Sequence, residues 1–334
     1  MVYNPDRYEP KNKTSKVKYL FFFTAFLVLI FAAYKLVAPR FLHSTSSLGE
    51  VNRLESEGAA RLLNKESIGN ISKSLKTAIF KHLKKERLDP DAFHFLARAY
   101  FFDATEAGLD LNATFLLKQA SGNKFNFNLS RNISLALTKM YKSALRARAL
   151  VKDRHYSGLN RLFILLHETF EARKKKKYIM QELEEIDIDS IPSAYKKLYL
   201  WLHLYGISQS GKIEKFQKFE NENQSLPVKQ RIQFSERERA FLSGIVYFYN
   251  KDYIKSLSFL RKARTEKDLI SLKAMKLEAR IFYKQNLPDK AIHLLEDLYK
   301  QTEGKDSEIL DIANRIFFDY PELKKKSELK DVKP

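Results

Sequence analysis

The run Tyr19–Ala38 (YLFFFTAFLVLIFAAYKLVA) constrains this chain more than any other stretch. Its twenty residues, if helical, rise about 30 Å, the thickness of a bilayer's hydrocarbon core. The only charge in it, Lys35, stands near one end, where the ammonium can reach the headgroups. A secretory signal has a shorter apolar region, about 7–15 residues, and then a small-x-small cleavage site. Here the uncharged run continues from Tyr19 to Tyr34, Ala38 is followed by Pro39, and Ala33 has Phe31 two residues before it. The expectation is an uncleaved anchor in contact with the lipid bilayer through residues 19–38.

Flanking cations set the orientation. Arg7, Lys11, Lys13, Lys16 and Lys18 precede the run, whereas Lys35, Arg40 and Arg53 lie at its end or beyond it. That bias predicts a single-pass protein of the inner (cytoplasmic) membrane. Residues 1–18 would form a basic cytoplasmic tail, and the C-terminal domain would be extracytoplasmic.

Beyond the anchor the chain is built for helices. Apolar residues make up 44% of the chain, enough for a sizeable core. Only 10 glycines and 9 prolines are present, too few turn residues for an all-β fold. The absence of cysteine removes disulfides, thiolate metal sites and cysteine nucleophiles together. The predicted fold is therefore all-α: one transmembrane helix, a linker over 39–50, a helical region with divergent repeats over 51–236, repeats and a capping helix over 237–321, and a charged tail over 322–334.

Asp89-Pro90-Asp91 marks a helix start, a capping carboxylate and then an early proline. Gly108 to Ser130 reads as the longest connection. Helical periodicity then predicts Leu159–Phe170, Tyr195–Tyr205, Arg237–Asn250, Tyr253–Arg264, Leu269–Lys284, Asp289–Gln301 and Glu308–Phe318.

Gly244 is followed by Tyr247, Asp252-Tyr253, Leu257, Leu260 and Ala263; 35 residues on, Ala279, Phe282, Ala291, Ile292 and Leu295 fill the same roles. Ala313 and Ile316 begin a third pass that ends at Pro321. This stretch resembles the tetratricopeptide repeat, in which a small residue lets two helices approach and an aromatic three residues later fills the gap. Upstream, Leu96-Ala97 with Tyr100 fits a first helix; Gly211-Lys212-Ile213 and Pro227 fit a turn and a terminator, but Phe216 replaces the small residue where the second helix begins.

The resemblance implies an inner face made by the first helix of each repeat. Phe241, Ile245, Phe248 and Tyr249 would line it in one repeat, and Lys276, Arg280, Tyr283 and Lys284 in the next. Such a groove suits a protein partner, of unknown identity, that offers an extended or helical segment with acidic and apolar groups. Members that grip a terminal carboxylate carry Asn where this chain has Ile245. Packing against the neighbouring helix is the competing reading of Phe248 and Tyr249.

Residues 131–178 hold thirteen Lys or Arg against three acids, half of the chain's net +20. Lys139, Lys142 and Arg146 recur at helical spacing, Arg148 and Lys152 extend the stripe, and Arg173, Lys174, Lys175, Lys176 and Lys177 form a dense cluster. Such a patch concentrates anions. Anionic lipid headgroups are the favoured ligand beside a membrane, nucleic acid the less favoured, and a merely solvated face the bland alternative.

Phosphate-binding and nucleophile motifs are missing. His167-Glu168-Thr169-Phe170-Glu171 is similar to a zinc-peptidase helix, but Glu171 replaces the second ligand histidine. The expected function is a non-catalytic protein–protein scaffold or adaptor in the cell envelope, with no cofactor and no metal. The alternative is a membrane-tethered binder of anionic lipid or nucleic acid through 131–178.

Overall fold

Residues 48–121, 124–125, 127, 129–151, 158–171, 176–208, 210–330 and 332 are described by the computed structural model. The expected membrane span, residues 19–38, lies outside them. Among the described residues no helix is long and apolar enough to cross a membrane.

The fold is all-α. Helix α1 covers 48–64. After it come α2 (Gly69–Leu83), α3 (Pro90–Glu106), α4 (Ala113–Gln119), α5 (Arg131–Leu150), α6 (Gly158–Phe170), α7 (Lys176–Glu184), α8 (Lys196–Ile207) and α9 (Ile213–Ser225). The C-terminal part comprises α10 (Glu236–Tyr249), α11 (Tyr253–Ala263), α12 (Leu269–Lys284), α13 (Pro288–Gln301), α14 (Ser307–Asp319) and α15 (Pro321–Lys326). Between Gly108 and Ser130 the expected connection contains α4 and a two-residue antiparallel pairing of β1 (Ala120–Ser121) with β2 (Lys124–Phe125). Periodicity misses α4 because seven residues are barely two turns.

Local chemistry fixes the helix starts. Asp89 accepts from the Asp91 N–H at the head of α3, with Pro90 at the first helical position. Ser235 and Glu238 close a reciprocal capping box on α10. Asp252, Asp268 and Asp306 cap α11, α12 and α14.

Helix α3 is the centre of the N-terminal half, packed by α2 on one side and α5 on the other. Tyr100 meets Lys139 while Phe93 meets Arg146, so α3 and α5 run antiparallel. On its other side Arg98 bonds Glu55 of α1 at 2.8 Å, and Tyr195 donates to the same carboxylate at 3.0 Å. Arg98 also donates to His94 Nε2 at 2.7 Å, which leaves Nδ1–H to donate to Asn160 Oδ1 at 2.7 Å. Burial and the adjacent guanidinium hold His94 down at about 4, so the ring is neutral at physiological pH.

Trp201 of α8 is fully enclosed, with Phe115, Phe127, Phe170 and Tyr205 around it. Its indole N–H donates to the Asn112 carbonyl at 3.2 Å, which ties α8 to the head of α4.

The C-terminal helices stack as a two-helix repeat. Helix α10 contacts α11 and α12, and α12 contacts α13 and α14. Three-residue turns with Lys251 and Asn286 in the left-handed region join α10 to α11 and α12 to α13. The close approach expected at Gly244 is present: a Cβ there would lie 2.6 Å from the Leu260 side chain, and Ser256 donates to the Gly244 carbonyl at 2.7 Å. One core runs from α1 through α12, and a second from α12 through α15.

Candidate functional site

The eight residues expected to line a C-terminal groove divide into a packed set and a paired set. Phe241 and Ile245 are 2% and 6% exposed and belong to the main core, so they do not line an open surface. Phe248 and Tyr249 are half-buried; Phe248 touches the Tyr249 and Tyr253 rings at centroid distances of 5.3 and 6.1 Å. Burial pushes the Tyr249 phenol up.

Two cations of the next repeat, Lys276 and Arg280, pair with acids at the head of α14. Lys276, itself buried, bonds both Asp306 (2.9 Å) and Glu308, and Arg280 bonds Glu308 at 3.0 Å. Tyr283 donates to Asp319, and Lys284 lies over the Tyr283 ring at 5.8 Å. The physical reason is that α14 places its N-terminal acids against these bases, so the chain supplies its own counter-charges. Lys276→Met is therefore expected to destabilise the C-terminal helices by about 2 kcal/mol, since it takes the ammonium from two part-buried carboxylates and leaves Glu308 with Arg280 alone. Urea unfolding checks this, and an unchanged midpoint would mean that the seam is only decorative.

The expected anion-binding stripe is in part on view. Lys139, Lys142, Arg146 and Arg148 lie on α5. Lys152, Arg173, Lys174 and Lys175 lie outside the described residues, and Lys176 and Lys177 open α7. The structure adds partners that the sequence did not reveal. The half-buried Tyr100 of α3 has Lys139 on one flank at 5.7 Å and Lys76 of α2 on the other at 5.6 Å. Arg146 covers the Phe93 ring at 4.8 Å. Lys73 is exposed beside Lys76 on α2, and Lys76 is neutralised by Asp103 at 2.6 Å. Phe80, Leu135 and Leu145 also emerge on α2 and α5, with 46%, 52% and 37% exposure. Helices α2, α3 and α5 thus offer cations interleaved with aromatic and aliphatic surface.

A second feature escaped the sequence altogether. A trench lies between the α1–α2 turn, the α3–α4 connection, the start of α8 and the short turn Val228–Gln230. Its first lobe, about 480 Å³, is walled by Ile68, Phe101, Leu111 and Leu198. Its second, about 620 Å³, is lined by Asn64, Gln233 and other polar groups. Lys65, Lys197 and Lys229 line both lobes. They are scattered widely along the chain, so no local pattern could join them.

His167 stacks on Tyr141 at 4.2 Å. Among the described residues the one trio of side chains able to converge on an ion is His82, Glu86 and Asp89, away from the His167 segment. His82 Nε2 and Asp89 Oδ2 are 2.6 Å apart, and Asp89 Oδ1 caps α3, so the pair works as a clasp on the α2–α3 turn. In comparison with known proteins, the chain matches no family model, no curated protein and no solved structure.

Proposed function

We propose that this chain is a single-pass, membrane-anchored helical-repeat scaffold of the cell envelope, non-catalytic, that binds a protein partner while its α2–α3–α5 face rests on anionic headgroups. One observation carries the reading: Lys76 of α2 and Lys139 of α5 flank Tyr100 of α3, and Arg146 of α5 covers Phe93. Each basic residue near an anionic bilayer is worth about 1 kcal/mol, and the exposed Phe80, Leu135 and Leu145 add apolar area that a purely solvated face has no use for.

Chain length makes the contact geometrically natural. Nine residues separate Ala38 from the start of α1, a reach of at most about 30 Å. Tethered so closely, the domain needs only weak contacts to stay down. The stacked hairpins α10–α14, with Gly244 against Leu260, support the tetratricopeptide-like part of the reading.

The test uses the full chain. Protease added outside an intact inner membrane is expected to digest the helical domain. In nanodiscs, amine labelling of Lys73, Lys139 and Lys142 is expected to slow severalfold in phosphatidylglycerol relative to phosphatidylcholine, and raised salt should restore it. Equal labelling in both lipids would sink the lipid contact. Protection from protease until lysis would place the domain in the cytoplasm and turn the same face toward nucleic acid.

A further inference from the structure

Lys197, half-buried, and Lys65 and Lys229, exposed beside it, differ from the paired cations elsewhere in this protein. Lys276 and Arg161 each meet two carboxylates. The three trench lysines form no ion pair among the described residues, and Lys229 reaches only the Asn64 amide oxygen, at 2.9 Å. Four acids share the trench; Glu66 is exposed at the α1–α2 turn, and the other three are spoken for. Glu106 accepts from the Ser67 hydroxyl at 2.8 Å and the Ile68 N–H at 3.0 Å. Glu238 closes the capping box of α10 and takes the Thr114 hydroxyl, and Asp110 takes the Asn112 amide.

Lys197 is half-buried at the junction of the lobes. Burial is the main influence against its ammonium; Asp110 opposes that effect and the neighbouring Lys65 charge adds to it, and the balance pulls the group below its ordinary value. A desolvated cation beside another cation gains most from an incoming anion. On one side of this cluster lies an apolar lobe large enough for a leucine or phenylalanine side chain. On the other lie amide-bearing side chains, and Val228, 61% exposed, stands on the rim.

The geometry points to a peptide-binding trench that takes an extended segment of a partner protein, with an acidic side chain at Lys65, Lys197 and Lys229 and an adjacent large apolar side chain in the Phe101–Leu198 lobe. A lone acyl chain with a carboxylate would use the apolar lobe and the lysines but leave the polar lobe empty. An extended peptide uses all three, because its backbone N–H and C=O groups meet the Asn64 and Gln233 side-chain amides. This inference supplies the chemistry of the protein partner in the scaffold reading and rests on that reading. It does not depend on the lipid-facing surface, so the nanodisc result and the peptide result can fail separately.

The probes are four fluorescein-labelled, N-acetylated, C-amidated hexapeptides of Gly and Ser whose central pair is Leu-Glu, Ala-Glu, Leu-Gln or Ala-Gln. Anisotropy with the detergent-solubilised full chain is expected to rank Leu-Glu first, about tenfold tighter than either single replacement. The pair Lys197→Ala and Lys229→Ala should remove the preference for Glu over Gln. Ala194→Trp, placed on the trench wall, should weaken Leu-Glu by a similar factor, while Lys290→Ala, exposed on α13 and outside both lobes, changes nothing. Equal binding of Leu-Glu and Ala-Glu would reduce the site to bulk electrostatics and overturn the proposal. So would equal binding of Leu-Glu and Leu-Gln, or no binding of any peptide at millimolar concentration. If a variant fails to fold, by circular dichroism, the ranking of the four peptides on the unaltered chain decides alone.

Discussion

Gly211→Ala is expected to cost about 3 kcal/mol. Gly211 sits in the left-handed region at φ +62°, in the turn between α8 and α9. A side chain there costs about 1–2 kcal/mol for the conformation alone. The added Cβ would also lie 2.6 Å from the Tyr249 carbonyl carbon and 2.7 Å from the Asn250 nitrogen. These are backbone atoms at the end of α10 and cannot rotate away, so overpacking adds about 1–3 kcal/mol. The Asn250 amide, which donates to the Gly211 carbonyl at 3.0 Å, would be levered off as well. Gly108→Ala is the matched control, because Gly108 has φ +100° but nothing within 4 Å of its would-be Cβ. Urea midpoints should fall much further for Gly211→Ala. Equal falls would show that only the conformation matters and that the α8–α9 turn is not wedged against α10.

Mild acid should weaken the fold through two histidines. His94 and His203 are both held down at about 4 from an ordinary 6.5, chiefly by burial. For His94 the Arg98 charge adds to the effect, and the Asn160 bond and Asp91 oppose it. For His203 the nearby Lys218 and Lys215 add to it, and Glu184 opposes it. A base whose folded pKa lies below its unfolded pKa binds protons preferentially when unfolded. Its contribution is therefore complete above pH 6.5 and is lost as the pH falls toward 4. Each ring carries about 3 kcal/mol over that whole window, of which about 2 kcal/mol is gone by about pH 5. Comparing unfolding at about pH 7.5 and about pH 5 tests this while most carboxylates remain ionised. His203→Phe should roughly halve the difference and leave the His94 share, since the ring lies tilted against Tyr199 at 4.5 Å and its buried Nε2 has no hydrogen-bond partner among the described residues. A pH slope unchanged by that substitution would mean that His203 does not titrate in this range.

The helical class was legible because it rests on composition and local signals. Asp89-Pro90 and the small residue at Gly244 each act within a few residues, and each does its expected work in the structure. The site was legible only where it ran along the chain. Lys139, Lys142 and Arg146 lie on one helix and were found, but Lys73, Lys76 and Tyr100 join them across α2 and α3, a placement that no spacing encodes. The C-terminal cations misled for the opposite reason. Lys276 and Arg280 read as free charge because Asp306 and Glu308, about thirty residues later, are brought to them only by the folding of α14. Helix α9 lies between the expected turn at Gly211 and Pro227, with Phe216 and Phe219 burying a narrow stripe on an otherwise polar helix.

Helix α12 serves two cores at once. Ile270, Ala274, Leu277 and Ile281 face the larger, and Ala279 opens the smaller. A chain built this way comes apart in an order. The helices beyond Lys284 can peel from the end while α12 stays seated, but nothing can dislodge α12 without opening both cores together. Helices α13–α15 are then the part whose detachment is cheapest, and α1–α12 melt as one block behind them.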